Sequence, residues 1–259
     1  MPRILVCYKW VLDEQDIKIN RDNLSLDTSK AKYKIGEYDR NAIEEGVLLA
    51  EKLGGSVDVL TFGTAAVKQS LKDVLSRGPE KAYFIGDPLA EKADASVTAA
   101  VLAAAIRKIG PYDIILCAEG STDEYNQQVA PRLAKMLDIP AVTFVNKLSL
   151  EGNQVQAARK LGDCTEVLHV EGAAVVSVMP EINKPRIPSL KQVLAAAKKP
   201  SEELKLTDLQ LDEKALTPKV IKLSIRGFVM NRKNIIHKEL SQTDNVAKLV
   251  AELAKEGVY

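Results

Sequence analysis

The segment 118–131 carries the residues of this chain that are best suited to chemistry. It reads Ala-Glu-Gly-Ser-Thr-Asp-Glu-Tyr-Asn-Gln-Gln-Val-Ala-Pro, after an apolar run at 114–117 and before an amphipathic stretch at 132–137. A strand that ends in small polar residues in front of a helix leaves backbone N–H groups unpaired, which together with the helix dipole can bind phosphate. Open parallel sheets also bind their ligands at such strand ends. The pattern predicts a phosphate site, and the alternative is an ordinary helix N-cap at Ser121, Thr122 or Asp123.

Composition excludes several classes of partner. The chain has 259 residues, with 36 Lys and Arg against 35 Asp and Glu, a net charge of +1 and 5% aromatic residues. It therefore lacks the positive field and the stacking surface that nucleic acids or anionic membranes would require. The longest apolar window, 95–109, is too short to span a bilayer, so we expect no membrane insertion. Since the chain begins directly as a strand, without the apolar region of a signal peptide, we expect a cytoplasmic protein.

Neither the cysteines nor the histidines indicate a catalytic or metal site. Cys7, Cys117 and Cys164 are far apart and form no Cys-x-x-Cys pair, so we expect them to be packing residues. His169 and His237 have no Ser, Cys or carboxylate at motif spacing, so we expect neither hydrolase chemistry nor metal binding.

Strands and helices alternate through the first 140 residues. Apolar runs predict strands at 4–8, 56–62, 81–85 and 112–117, and helical periodicity predicts helices at 41–53, 64–76, 93–109 and 125–137. This alternation predicts an α/β fold, an open and mostly parallel sheet with helices on both faces, of the adenine-nucleotide-binding, Rossmann-like kind.

The pattern changes after residue 140. Extended segments at 141–150, 154–160, 164–170 and 173–179 follow each other without long helices, which predicts an antiparallel extension of the sheet. The two prolines within 183–189 exclude a central strand. A short helix at 190–199 and a polar tail with a last helix near 244–255 follow. We therefore predict a nucleotide-binding α/β domain over 1–182 and a long C-terminal arm with a partner-wrapping tail over 183–259.

Four segments carry a family resemblance. They read Ile-Leu-Val-Cys-Tyr-Lys at 4–9, Gly-Glu-Tyr-Asp-Arg-Asn-Ala-Ile-Glu-Glu at 36–45, Asp-Glu-Tyr-Asn-Gln-Gln-Val-Ala-Pro at 123–131 and Glu-Ile-Asn-Lys-Pro-Arg at 181–186. Together they resemble the small (beta) subunit of electron transfer flavoproteins over essentially the whole chain. Further segments, at 13–17, 73–79, 127–129 and 196–200, resemble its Fix-type branch, which is associated with carnitine or nitrogen-fixation electron transfer.

The resemblance implies a heterodimer with an alpha subunit that carries a redox-active FAD. The beta subunit of relatives binds either a second FAD, which takes electrons from NADH and bifurcates them, or AMP as a structural ligand. It implies electron exchange with an acyl-CoA-type dehydrogenase or a quinone-linked acceptor. The residues that match the nucleotide site are Cys7, Gly36, Glu37, Tyr38, Asp39, Phe62, Ser121, Thr122, Asp123, Asn126, Gln127, Gln128, Val129 and Arg132.

Six of these residues have an assignable role. Cys7 and Phe62 would form an apolar wall for adenine, and Asp123 and Asn126 would hydrogen-bond the ribose or base. Phosphate would lie at the helix start near Gln128 and Val129. Two of them also have simpler explanations, because Phe62 alone could be a core residue and Asp39 alone could cap a helix beginning near Asn41.

The nucleotide itself is left open. Asp39 and the Gln-Val-x-Pro pattern at 128–131 favour FAD, whereas departures from the family pattern at Gly36, Glu37, Tyr125 and Ala130 weaken that preference. With AMP, the chain would be a structural and docking subunit without bifurcation.

By position, Leu190 matches an exposed leucine with which relatives dock on dehydrogenases, the alternative being that it packs on its own helix. An interpretation of another class is a stand-alone adenine-nucleotide sensor or hydrolase, which would leave the arm and tail unexplained.

Overall fold

The computed structural model describes residues 1–230, 232–238 and 241–258. Its strands are β1 (Arg3–Cys7), β2 (Trp10–Leu12), β3 (Lys18–Ile19), β4 (Leu26–Asp27), β5 (Tyr33–Ile35), β6 (Ser56–Gly63), β7 (Lys81–Gly86), β8 (Ile114–Ala118), β9 (Ala141–Glu151), β10 (Gln154–Lys160), β11 (Thr165–Glu171), β12 (Ala174–Val178) and β13 (Ser201–Glu203). Its α-helices are α1 (Glu37–Leu53), α2 (Leu71–Ser76), α3 (Ala95–Ile109), α4 (Val129–Leu137), α5 (Leu190–Ala196), α6 (Glu213–Leu216) and α7 (Gln242–Lys255). Short 3₁₀ helices lie at Glu14–Asp16, Ala65–Ser70, Pro88–Glu91, Pro180–Ile182 and Leu206–Leu209.

One large sheet dominates the structure. Its nine strands have the order β11-β10-β9-β12-β8-β1-β6-β7-β13. The strands β1, β6, β7, β8 and β12 pair with each other in parallel, while β9, β10 and β11 form an antiparallel meander at one edge. The predicted α/β fold, with a mostly parallel sheet and an antiparallel extension, is confirmed.

Helices cover both faces of this sheet. Side chains alternate along β1, so that Ile4 and Val6 join a core with α1 and α2, whereas Leu5 and Cys7 join a second core with α3 and α4. Because both faces are buried, the parallel strands are nearly continuous apolar runs, which is why their positions could be predicted from the sequence.

Three helix starts differ from prediction. Helix α1 begins at Glu37 after an N-cap at Gly36, so Asp39 lies inside its first turn and is not an N-cap. Helix α4 begins at Val129 after Gln128 rather than at 125, and the N-cap predicted at Ser121, Thr122 or Asp123 is wrong. The segment predicted as one helix at 64–76 is a 3₁₀ turn followed by α2.

The cysteines and the apolar helices bear on two further expectations. Cys7 and Cys117 are buried packing residues as predicted, but Cys164 is exposed, so that part of the prediction is wrong. Within the described residues, no helix combines the length and apolar character needed to cross a bilayer.

The first part of the arm is fastened to α1. Asn183 Nδ2 donates to the Asn41 carbonyl at 3.0 Å and to Glu45 Oε2 at 2.9 Å. Arg186 pairs with the buried carboxylate of Glu44 through Nε at 2.8 Å, and with Glu51 through Nη1 at 2.7 Å. These polar contacts replace the apolar core that a Pro-rich segment cannot build.

Contacts divide the chain into two units. One consists of residues 1–18 and 27–225 and contains the large sheet, and the other consists of residues 19–26 and the chain from Arg226 onward. In the second unit, α7 has no buried residue. The predicted boundary between 182 and 183 stays a prediction.

Candidate functional site

A cavity of about 310 Å³ lies where the central parallel strands end. Cys7, Phe62 and Cys117, at or next to the last residues of β1, β6 and β8, contribute to its wall. The N-terminal ends of α3 and α4 also line it, through Asp94 and Ala95 and through Gln128 and Val129. This is the strand-end position at which open α/β sheets bind ligands, beside helix N-termini that favour anions.

The cavity brings together most of the residues predicted for a nucleotide site. Those that line it are Cys7, Asp39, Phe62, Ser121, Asp123, Asn126, Gln127, Gln128 and Val129. The remaining ones are outside the lining, and these are Gly36, Glu37, Tyr38, Thr122 and Arg132.

Three of the residues outside the lining support it instead. Gly36 leaves room for the Asp39 carboxyl, since a Cβ there would lie 2.2 Å from Oδ2. The Tyr38 ring packs against Tyr125 with centroids 5.6 Å apart. Arg132 donates from Nε to Gln128 Oε1 at 3.0 Å, which orients a lining side chain at the start of α4.

Asp39 carries the most unusual carboxyl of the site. It is 5% exposed, and its Oδ2 has no hydrogen-bond partner among the described residues. Burial raises the pKa of Asp39 to about 8, against the hydrogen bond from the Lys9 backbone N–H and the charge of Lys9, which lower it. At neutral pH this carboxyl is therefore mostly protonated.

Lysines balance the acidic loop after β8. Lys9 Nζ lies 2.7 Å from Asp123 Oδ2 and 3.8 Å from Glu124 Oε2. Although burial acts in the opposite direction, the charge and hydrogen bond of Lys9 lower the pKa of Asp123, which stays ionised. Lys222 Nζ lies 2.6 Å from Glu124 Oε1 and also lines the cavity. The sequence analysis missed Lys222, which no motif connects to this loop.

The shape of the same loop depends on Tyr125. Its hydroxyl donates to Oε1 of the buried Glu119 at 2.6 Å, and that bond raises the pKa of Tyr125 to about 12. Tyr125 and Gln127 have left-handed backbones, with φ of 48° and 56°, which delays the start of α4. The sequence shows Tyr125 as a departure from the family pattern but does not reveal its partner Glu119.

An aromatic pair completes the lining. Trp10 and Tyr33 stack with centroids 6.2 Å apart and 13° between their planes, because β2 and β5 pair antiparallel. Trp10 Nε1 is buried and has no hydrogen-bond partner among the described residues. These residues were missed because the pairing of two short strands leaves no periodic signal in the sequence.

The donor set fits an adenine nucleotide. Cys7 and Phe62 provide an apolar wall for the base, Asp123 and Asn126 provide polar side chains, and the start of α4 provides a place for phosphate. Among the described residues, no group of His, Cys, Asp and Glu side chains could hold a metal ion.

Comparison with known proteins agrees with this geometry at the level of the family. The model of the electron transfer flavoprotein domain matches residues 23–209. Among solved structures, the chain is similar to the DNA/pantothenate metabolism flavoprotein from Streptococcus pneumoniae, with 9% identity over 65% of this chain and 91% of that chain and a TM-score of 0.24. That likeness is too weak to bear on fold or function, whereas the family match spans most of the chain. The protein belongs to the electron transfer flavoprotein family.

Proposed function

We propose that the chain is the beta subunit, of Fix type, of a heterodimeric electron transfer flavoprotein of the cytoplasm. In this role it binds an adenine nucleotide and takes part in electron transfer between the alpha-subunit FAD and an acyl-CoA-type dehydrogenase or a quinone-linked acceptor. One observation carries the proposal. The strand-end cavity collects most of the residues that the resemblance assigns to the nucleotide, in a chain whose family match covers residues 23–209.

Different residues of the cavity would bind the base, the ribose and the phosphate of the nucleotide. Cys7 and Phe62 exclude water from one face of the base, and the protonated Asp39 donates to a ring or ribose acceptor. The ionised Asp123 and the Asn126 amide accept and donate hydrogen bonds at the ribose. The start of α4 near Val129 holds phosphate. A flavin bound there would supply two-electron oxidation of NADH and delivery of the electrons to two different acceptors.

The same cavity supports a second candidate. Asp39 and the pattern at 128–131 favour FAD, but a volume of about 310 Å³ lies near the lower end of small-molecule sites, which span about 300–1,000 Å³. The volume favours a mononucleotide. With AMP in the cavity, the chain would be a structural and docking subunit.

The arm supplies the docking surface in either case. Leu190 is 75% exposed, and its apolar neighbours Ile187 and Leu194 are exposed as well. A capping box between Ser189 and Gln192 fixes the start of α5 and hence the position of Leu190. We propose Leu190 as the residue that contacts the partner dehydrogenase.

Cofactor counting tests the proposal. The chain is co-purified with its alpha partner, the complex is denatured, and the released FAD and AMP are quantified by chromatography. The nucleotide released by the alpha partner alone is measured in parallel as a reference. Two FAD per heterodimer without AMP would support a flavin-carrying, NADH-oxidising subunit, and one FAD and one AMP would support the structural subunit. If the complex releases no more adenine nucleotide than the alpha partner alone, the proposed function is overturned.

A further inference from the structure

A segment after α6 is fastened to the rim of the cavity. The backbone N–H groups of Lys219 and Val220 donate to Asp94 Oδ2 at 2.6 and 3.0 Å. Three residues from Lys219, Lys222 Nζ reaches Glu124 Oε1 at 2.6 Å. Asp94, Glu124 and Lys222 all line the cavity. The segment therefore joins two elements of the cavity wall, the start of α3 and the loop after β8.

Polar contacts hold this segment in place. Residues 217–225 contain neither helix nor strand, and the apolar side chains of Val220, Ile221 and Leu223 are largely exposed, so they add little packing. Asp94 accepts from the segment through Oδ2 while its Oδ1 accepts from Val97 N–H at 2.9 Å and caps α3. The segment thus depends on two carboxylates, both of which belong to the ligand site.

The acidic lining of the cavity indicates a role for Lys222. Besides the protonated Asp39, the acidic side chains in the lining are those of Glu91, Asp94, Glu119, Asp123 and Glu124, and its lysines are Lys9 and Lys222. Lys9 Nζ lies 2.7 Å from Asp123 Oδ2 and Lys222 Nζ lies 2.6 Å from Glu124 Oε1, so each lysine offsets one acidic side chain. A phosphate that enters so acidic a cavity needs a cation beside it, because a charge-assisted hydrogen bond offsets repulsion from the nearby carboxylates, and Lys222 is the cation that the segment supplies. Glu124 holds that cation at the cavity wall.

We propose that residues 217–225 form a strap which closes the nucleotide cavity, and that Lys222 on this strap binds the phosphate of the nucleotide. The proposal rests on the proposed function, since it takes the occupant to be an adenine nucleotide. Binding and closure are then linked reciprocally: phosphate binding seats the strap, and a seated strap slows the loss of the nucleotide. A nucleoside, which lacks the phosphate, would gain nothing from Lys222.

Two matched substitutions test the role of Lys222. Lys222→Met and Lys219→Met remove the same charge from the same segment, but the Lys219 side chain donates to the Lys214 carbonyl and lies outside the cavity lining. Affinities of the full-length chain for AMP and for adenosine are measured by calorimetry. We expect Lys222→Met to raise the Kd for AMP about tenfold, as for one charge-assisted contact, and to leave the Kd for adenosine unchanged. Lys219→Met should leave both values unchanged.

The possible failures are distinguishable. If the wild-type chain binds none of AMP, adenosine and FAD, both the proposed function and the proposed role of the strap are overturned. If it binds AMP but the two variants have the same Kd for AMP, or if Lys222→Met weakens AMP and adenosine equally, only the role of Lys222 is overturned.

Hydrogen exchange tests the closure itself. Saturating AMP should slow amide exchange in peptides that cover 217–225 of the wild-type chain, and adenosine should do so less. In Asp94→Asn, which keeps a capping side chain for α3 but removes the charge that holds the strap, the protection by AMP should be smaller. Equal exchange with and without AMP in the wild-type chain would overturn the strap.

Discussion

A single buried carboxyl, that of Asp39, sets the pH dependence that we expect of this fold. Burial raises its pKa from the ordinary value of 3.8 to about 8. Between those two values the folded chain keeps a proton that the unfolded chain releases. Stability falls with rising pH wherever the native state binds more protons, so the contribution of Asp39 is fully present below about pH 4 and is lost as pH rises to about 8.

Replacement by the neutral isostere should remove this dependence. We expect the free energy of unfolding of the wild-type chain, measured with urea, to fall by about 3–4 kcal/mol more than that of Asp39→Asn between pH 5 and pH 8. Asp27→Asn is the control. Hydrogen bonds from Ser29 lower the pKa of Asp27, so its contribution is present above the unfolded pKa and is lost as pH falls below it, outside this window. Parallel pH profiles for the wild-type chain and Asp39→Asn would contradict the argument.

At the scale of elements, the position of the arm depends on Arg186. Its guanidinium pairs with Glu44, whose side chain is 7% exposed, and with the more exposed Glu51. Removal of one member of a buried pair leaves the other charged and unpaired, which costs about 3–5 kcal/mol when the pair is fully buried. Because Arg186 is 26% exposed, we expect Arg186→Met to lower the free energy of unfolding by about 2–3 kcal/mol in urea titrations.

A double substitution identifies the cause of that loss. Arg186→Met combined with Glu44→Gln should recover part of the lost stability, since it removes the unpaired charge. Lys184→Met, an exposed change in the same arm, should stay within about 0.5 kcal/mol of the wild-type chain. If Arg186→Met costs no more than Lys184→Met, the ion pair does not anchor the arm.

The helix that follows exposes Leu190, the proposed docking residue. If the proposed docking is correct, Leu190→Ala should slow electron transfer with the partner dehydrogenase by about tenfold, because loss of one apolar anchor costs about 1–2 kcal/mol. Stopped-flow measurement of that rate is compared with Lys191→Ala, a neighbouring exposed position of α5. Nucleotide content should be the same in both variants. An unchanged rate for Leu190→Ala would exclude it as the docking residue.

An element can be predicted from the sequence when its own residues determine it, and cannot when it depends on contacts that form only in the folded chain. The parallel strands could be predicted because burial on both faces makes β1, β6 and β8 apolar runs. The start of α4 could not, because it depends on left-handed residues such as Tyr125, whose hydroxyl finds Glu119 only in the folded chain. Lys222 lies far along the sequence from Glu124, the loop residue that it contacts, and no local sequence pattern predicts an ion pair between residues so far apart.

At the scale of the whole molecule, the distribution of exposed apolar side chains points to a partner. Most of the exposed large apolar residues in the described chain lie after residue 217, and they include Phe228, Met230 and Ile236. In α7, the partly exposed Val246, Leu249 and Val250 share one face of the helix at i, i+3 and i+4 spacing. An apolar helix face without a core of its own is typical of a surface that another chain covers.

A chain that ends at Ile225 tests whether this tail serves the partner or the fold. It keeps the whole unit that contains the large sheet, together with the strap and residues 19–26 of the second unit. It loses the rest of the second unit, including α7, which has no buried residue. We expect an unchanged urea midpoint and unchanged AMP binding, but no co-purification with the alpha subunit. The full-length variant with Val246, Leu249 and Val250 all changed to Ser is the matched control, because it keeps the length and removes only the apolar face. If the shortened chain still retains the alpha subunit, the tail is not its binding surface. If the shortened chain unfolds, the tail belongs to the fold, and the exposed apolar residues require another explanation.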